Sequence, residues 1–148
     1  MQNDYIHLIL ADDDEDDRLF FTDAFSELKM NTRVNTFNDG VELMNYLNKE
    51  DALMPNVLFL DLNMPKKTGI ECLIEIKANT KMSGIAIVIY STSASEEDIE
   101  KTFVLGANIY IKKPGDFKKL KKVLSEVVSI NWQYHTNSLN KDNFLLRL

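Results

Sequence analysis

Asn56-Val57-Leu58-Phe59-Leu60-Asp61 is an apolar run of strand length that ends on a carboxylate. A strand that is apolar on both faces needs cover on both sides, which is the condition of an inner strand in a parallel sheet packed between helices. The carboxylate marks where that strand meets an exposed edge. Upstream, Ile6-His7-Leu8-Ile9-Leu10-Ala11 repeats the pattern and stops on Asp12-Asp13. Downstream, Ile85-Ala86-Ile87-Val88-Ile89-Tyr90 stops on Ser91. Residues 34–37 and 108–111 supply a weaker second and a short fifth strand.

Helical spacing fills the intervals. Leu19, Phe20, Ala24, Phe25 and Leu28, with Phe21 widening the stripe, predict a helix after the first strand. Asn38-Asp39-Gly40 turns into a helix whose inner face carries Leu43, Met44 and Leu47. Thr68 and Glu71 have capping-box spacing, followed by Ile70, Leu73, Ile74 and Lys77 as the expected stripe. Ser95 and Asp98 open a fourth helix that should stop near Gly106, a residue suited to the left-handed position after a helix. Asp116 is the expected cap of a last helix, with Leu120, Val123, Leu124, Val127 and Val128 facing inward. Alternating strands and helices imply an α/β fold: a three-layer α-β-α sandwich around a five-stranded parallel sheet.

Composition agrees with one such domain. The chain has 148 residues, 45% hydrophobic and 27% charged. No apolar stretch approaches the ~18–20 residues that span a bilayer, and Met1-Gln2-Asn3-Asp4 lacks the basic start of a signal peptide. The expectation is a cytoplasmic protein without membrane insertion. The lone Cys72 reads as a half-buried helix residue without function. A net charge of −6 argues against direct DNA binding. The lysines between Lys112 and Lys122 read as a solvated helix face, with Lys113 as the exception.

In a parallel sheet, polar groups at the carboxyl ends of the strands converge on one edge. Here that edge receives Asp12 and Asp13, Asp61, Ser91, and Lys113 with Pro114. Clustered carboxylates repel one another unless a cation neutralises them. An oxygen-only set suits Mg²⁺, which keeps several waters and takes one or two carboxylates plus a phosphate. Lys113 adds a compact positive charge for that phosphate, and a carboxylate can itself attack phosphorus to give an aspartyl phosphate.

The segments Leu10-Ala11-Asp12-Asp13-Asp14, Asp61-Leu62-Asn63-Met64-Pro65 with Gly69, Tyr90-Ser91-Thr92, and Tyr110-Ile111-Lys112-Lys113-Pro114 together resemble the receiver domains of bacterial two-component response regulators. The resemblance spans roughly residues 5–130. It implies the flavodoxin-like strand order 2-1-3-4-5. It further implies Asp61 as phosphoacceptor and metal ligand, Asp13 as a direct Mg²⁺ ligand, Asp12 as a ligand mainly through water, and the Asn63 backbone carbonyl as a third protein ligand. Ser91 and Lys113 would meet phosphoryl oxygens, Tyr110 would be the aromatic switch that turns inward with Ser91, and Lys113–Pro114 is the candidate cis peptide. The family commonly has threonine at the Ser91 position and a bulky apolar residue where Gly115 stands.

The implied function is a phosphorylation-dependent signalling switch rather than a turnover enzyme. It would take its phosphoryl group from a sensor histidine kinase or a His-containing phosphotransfer protein. It would relay the signal by contact with a downstream protein target or a second copy of the chain. The runner-up is a haloacid-dehalogenase-like, Mg²⁺-dependent phosphohydrolase, which would need a second aspartate where Asn63 stands. A flavin-binding electron carrier is disfavoured because Asp12-Asp13-Asp14 would repel an anionic cofactor.

Simpler readings account for the remaining residues. Asp14, Glu15, Asp16 and Asp17 favour a helix N-terminus through its dipole. A calcium loop is disfavoured by Asp17 at its glycine position and Asp23 at its glutamate position. Tyr110 could equally be core packing that leaves its hydroxyl in water, and His7 and His135 read as structural. The receiver domain is assigned to residues 1–130, and residues 131–148 to a C-terminal extension with no effector domain. The extension's apolar end, Phe144-Leu145-Leu146-Arg147-Leu148, is expected either to dock on the domain or a partner or to fray.

Overall fold

Strands that cannot turn either face to water take the middle of the sheet. In the computed structural model, which describes residues 5–130 and 144–146, β1 (Ile6–Ala11), β3 (Val57–Leu60) and β4 (Ala86–Ser91) are central and almost wholly buried. β2 (Thr32–Phe37) takes an outer position with alternating exposure. β5 (Ile109–Lys112) follows β4, and a short β6 (Leu145–Leu146) lies beyond it, giving the order β2-β1-β3-β4-β5-β6. All neighbouring pairs are parallel. The expected order 2-1-3-4-5 is present, with β6 as an unforeseen addition.

Among the described residues, five α-helices cover the two faces: α1 (Glu15–Glu27), α2 (Gly40–Leu47), α3 (Gly69–Lys77), α4 (Glu96–Val104) and α5 (Phe117–Ser129). Side chains alternate across a strand, so the sheet carries two cores. Ile9, Leu58, Leu60, Ile87 and Ile89 pack with Leu43 and Leu47 of α2, Leu73 and Ile76 of α3, and Ile99 of α4. Leu8, Leu10, Phe59, Val88, Tyr90 and Ile111 pack with Phe21 and Phe25 of α1 and with Leu120, Val123, Leu124 and Val127 of α5. Phe21 stands edge-on to Phe59 at 4.9 Å and to Tyr90 at 5.8 Å between ring centroids, which locks α1 beneath the strand ends.

The helix starts follow the capping chemistry expected of them. Thr68 and Glu71 form the reciprocal capping box, Ser95 accepts from the Asp98 N–H, and Asp116 accepts from the N–H groups of Lys118 and Lys119. Gly106 has φ of 98° and closes the turn after α4. Gly69 has another reason to be glycine: a Cβ there would collide with the Asp61 carbonyl.

Two expected helix stripes are rotated. Leu19 is 55% exposed and Ile74 49% exposed, while the buried sets are Phe21, Ala24, Phe25 and Gly69, Cys72, Leu73, Ile76. Phe21 packs edge-on against Phe59 and Tyr90 of the sheet, and Leu19, two residues earlier, turns outward. Cys72 is fully rather than half buried, and burial pushes its thiol up to about 12.

His7 is buried in β1, its Nε2 3.0 Å from Asn35 Oδ1. His135 and most of the 131–148 stretch lie outside the described residues. Among the described residues, no helix is long and apolar enough to cross a membrane.

Candidate functional site

Strand register assembles the site. Ala11 pairs with Leu60, so Asp12 and Asp61 emerge side by side, tied by the Asp61 N–H to the Ala11 carbonyl at 3.0 Å. Leu60 pairs with Ile89 and Ser91 with Lys112, which carries Ser91 and Lys113 to the same edge. Alternation then sorts these residues by face. Asp12, Asp61, Tyr90 and Lys113 follow the parity of the α1/α5 core, whereas Ser91 and Tyr110 follow that of the α4 side.

Asp12 and Asp61 are buried, at 0% and 5% exposure, while Asp13 is exposed. One oxygen from each of Asp12, Asp13 and Asp61 falls within 4.8 Å of the others. The Lys113 ammonium lies 2.7 Å from Asp12 Oδ2, 2.8 Å from Asp17 Oδ2 and 3.7 Å from Asp61 Oδ2. It also stands 5.5 Å from the centre of the Tyr90 ring. Backbone ties hold the loop after β1: Asp12 Oδ1 accepts from the Asp14 N–H at 2.9 Å, and Arg18 donates to the Asp12 carbonyl at 2.9 Å.

Burial dominates the electrostatics. It pushes the Asp61 carboxyl up to about 6, against the lowering charge of Lys113 and with a further upward push from Asp12. Burial likewise raises Asp12, opposed by its contact with Lys113. For Lys113 burial acts downward, but its hydrogen bonds to Asp12 and Asp17 outweigh it and hold the ammonium above the usual lysine range. One lysine facing several carboxylates leaves an excess of negative charge, and the donors are all oxygens. The trio could therefore hold a hard divalent cation.

Asn63 sits beside the trio with its N–H 3.3 Å from Asp61 Oδ1. On the other face, Ser91 is fully buried, and its Oγ accepts from the Ser93 N–H at 3.2 Å. Tyr110 is fully buried too, and its hydroxyl donates to the Ser93 carbonyl at 2.6 Å instead of reaching water. The ring is already turned inward. Phe144 covers it at 6.2 Å and meets Phe103 of α4 at 5.3 Å between centroids.

The candidate cis peptide is a correction: no peptide bond among the described residues is cis, so Lys113–Pro114 is trans. A residue before proline retains a trans preference of about 0.5–1 kcal/mol, and the short β5 end reaches α5 without the sharper turn. Sequence reading also missed Asp17, assigned only to the helix dipole, and Phe144 as a cover for Tyr110. The Asp17 signal was one of phase: it lies one helical turn before Phe21, whose ring meets Phe59 and Tyr90, and so shares the side of α1 that faces the sheet.

The family model for the response regulator receiver domain matches residues 8–125. The response regulator Rcp1 of a Synechocystis strain is 30% identical over 126 residues, covering 82% of this chain and 86% of its own. The crystal structure of the phosphorylated cyanobacterial phytochrome response regulator RcpA superposes with a TM-score of 0.77 at 33% identity, covering 83% of this chain and 91% of that one. The Mn²⁺-bound form of Rcp1 follows, with a TM-score of 0.76 at 30% identity over 86% of this chain and 94% of that one. None of these relatives favours a haloacid-dehalogenase-like phosphohydrolase. With this fold, this edge and a match across residues 8–125, the chain belongs to the response regulator receiver domain family.

Proposed function

We propose that the chain is a phosphorylation-operated signalling switch in which Asp61 is the phosphoacceptor and Mg²⁺ is the metal held by Asp12, Asp13, Asp61 and the Asn63 carbonyl. The observation that carries this reading is the Lys113 ammonium, buried within 3.7 Å of Asp61 beside a carboxylate trio. An Asp61 oxygen attacks the phosphorus of a phosphohistidine on a kinase or phosphotransfer protein. The new P–O bond forms as the P–N bond breaks, and the imidazole leaves with the electron pair. Bound Mg²⁺ supplies charge neutralisation at the phosphoryl oxygens. Lys113 pairs with one of those oxygens, and Ser91 donates its hydroxyl to another from the opposite face of the sheet edge.

The group added at Asp61 carries about −2 of charge. A shift of Ser91 toward it pulls on the loop that Tyr110 grips through the Ser93 carbonyl, which alters the surface of α4, β5 and α5. Signalling is then by contact with a downstream protein in the cytoplasm, without turnover of a substrate. The test is incubation with Mg²⁺ and acetyl phosphate followed by intact-mass measurement. The wild type should gain a single base-labile phosphoryl group and Asp61→Asn none. Labelling of Asp61→Asn at the wild-type rate would overturn the assignment.

A further inference from the structure

We propose that Asp17 is a positioning residue that competes for the Lys113 ammonium and so sets how strongly a phosphoryl group must bind to recruit it; this rests on Asp61 being the acceptor. Lys113 is 8% exposed at its side chain, and its ammonium sits 2.7 Å from Asp12 and 2.8 Å from Asp17 but 3.7 Å from Asp61. The two close partners differ in kind. Asp12 belongs to the strand edge and is fully buried, whereas Asp17 reaches in from the first turn of α1 and is 34% exposed.

The backbone of Asp17 is itself held, because its N–H donates to the capping carboxylate of Asp14 at 2.9 Å. The Phe21 ring, one turn further along α1, is wedged between Phe59 and Tyr90. The carboxylate is thus presented by a fixed helix rather than by a loose loop. Its neighbour Asp16 is exposed and makes no ion pair among the described residues.

An ammonium has few N–H donors, and each anion in reach draws on the same ones. A phosphoryl oxygen arriving at Asp61 must take the ammonium over from one of its present partners. Asp17 is the partner that water can replace at least cost, since it is partly solvated already. Its charge therefore acts as a restraint on Lys113 that is released on phosphorylation, and neutralising it lowers the threshold.

The experiment is titration of the full chain, with Mg²⁺ present, by beryllofluoride as a phosphoryl mimic, following amide and Lys113 side-chain methylene signals by NMR. Asp17→Asn and Asp16→Asn remove the same charge from adjacent positions, and only the first removes the ion pair. The expected result is an apparent affinity raised about three- to five-fold in Asp17→Asn, the scale of a partly exposed ion pair, with Asp16→Asn near wild type. The Lys113 signals of the free protein should move in Asp17→Asn alone.

Equal increases in both variants would assign the effect to net charge and overturn the proposal. Weaker binding in Asp17→Asn would overturn it too, by making Asp17 an aid to Lys113 rather than a competitor. If wild type fails to bind beryllofluoride, the acceptor reading falls and takes this inference with it. Wild-type binding with no change in Asp17→Asn removes the inference alone.

Discussion

Tyr110 shows how one side chain joins the chemistry to the shape of the protein. Its ring is fully buried on the α4 side of the sheet, and its hydroxyl bridges to the Ser93 carbonyl in the loop that follows β4. Replacing it by phenylalanine keeps the packed ring and deletes the bridge, leaving one carbonyl to find water at the loop surface. Tyr110→Phe should cost about 1 kcal/mol in urea unfolding, the net value of one such hydrogen bond. Phosphorylation of Asp61 should continue, because Asp12, Asp61 and Lys113 lie on the other parity of the sheet. Hydrogen exchange should locate the loss at residues 92–95, and equal protection there in both proteins would contradict the bridge. Much of this arrangement was legible in the sequence. Counting by twos from Leu10 reaches Asp12, from Phe59 reaches Asp61 and from Ile111 reaches Lys113, all on the α1/α5 face. The partner of the Tyr110 hydroxyl was not legible, because an irregular loop has no period to count.

At the scale of elements, caps were easier to read than faces. A cap is a local bargain between one side chain and the next turn of backbone, so Thr68 with Glu71 and Ser95 with Asp98 declared their helices by spacing alone. A buried face depends on the partner surface, and Leu19-Phe20-Phe21 admits more than one phase; packing against Phe59 and Tyr90 chose Phe21. Asp39 offers a test of capping that is sensitive to pH. It opens α2 by accepting from the Glu42 N–H at 2.8 Å, and that bond, with the charge of Lys66 at 3.5 Å, holds its carboxyl below the ordinary value of 3.8. A folded-state value below the unfolded one contributes stability at pH above the unfolded value, and that stability is lost as pH falls through the folded value. Asp39→Ala should therefore cost about 1 kcal/mol near neutrality, and the gap to wild type should narrow in acid. Asp39→Asn should keep most of the cap and lose that pH dependence. Urea melts near neutrality and below the carboxylate range would show both; a gap constant with pH would deny the carboxylate its role.

For the whole molecule the question is what closes the sheet beyond β5. A bare outer strand would present unpaired N–H and C=O groups; here Tyr110 and Ile111 pair with Leu145 and Leu146 of β6, and Phe144 is fully buried against Tyr110 and Phe103. The apolar end of the chain was visible in the sequence, but its seat was not, because docking on β5 is decided by a surface that exists only once the sheet has formed. The energetics of that seat are finely balanced. Burying a phenylalanine side chain is worth about 1.5–3 kcal/mol, while fixing the backbone of each strand residue costs about 1–2 kcal/mol. With few strand hydrogen bonds to tip the sum, β6 should open well before the rest of the sheet, as a low-stability unit of its own. Phe144→Ala removes most of the apolar gain and should shift this balance to the open form. Amide exchange at residues 110–111 should then rise toward that of an uncovered edge strand, while the β1, β3 and β4 amides stay protected. Because Phe144 presses on the ring that the Ser93 carbonyl holds, the same variant should broaden the Tyr110 ring signals in NMR. If the β5 edge exchanges no faster in Phe144→Ala than in wild type, β6 is anchored by something other than that ring.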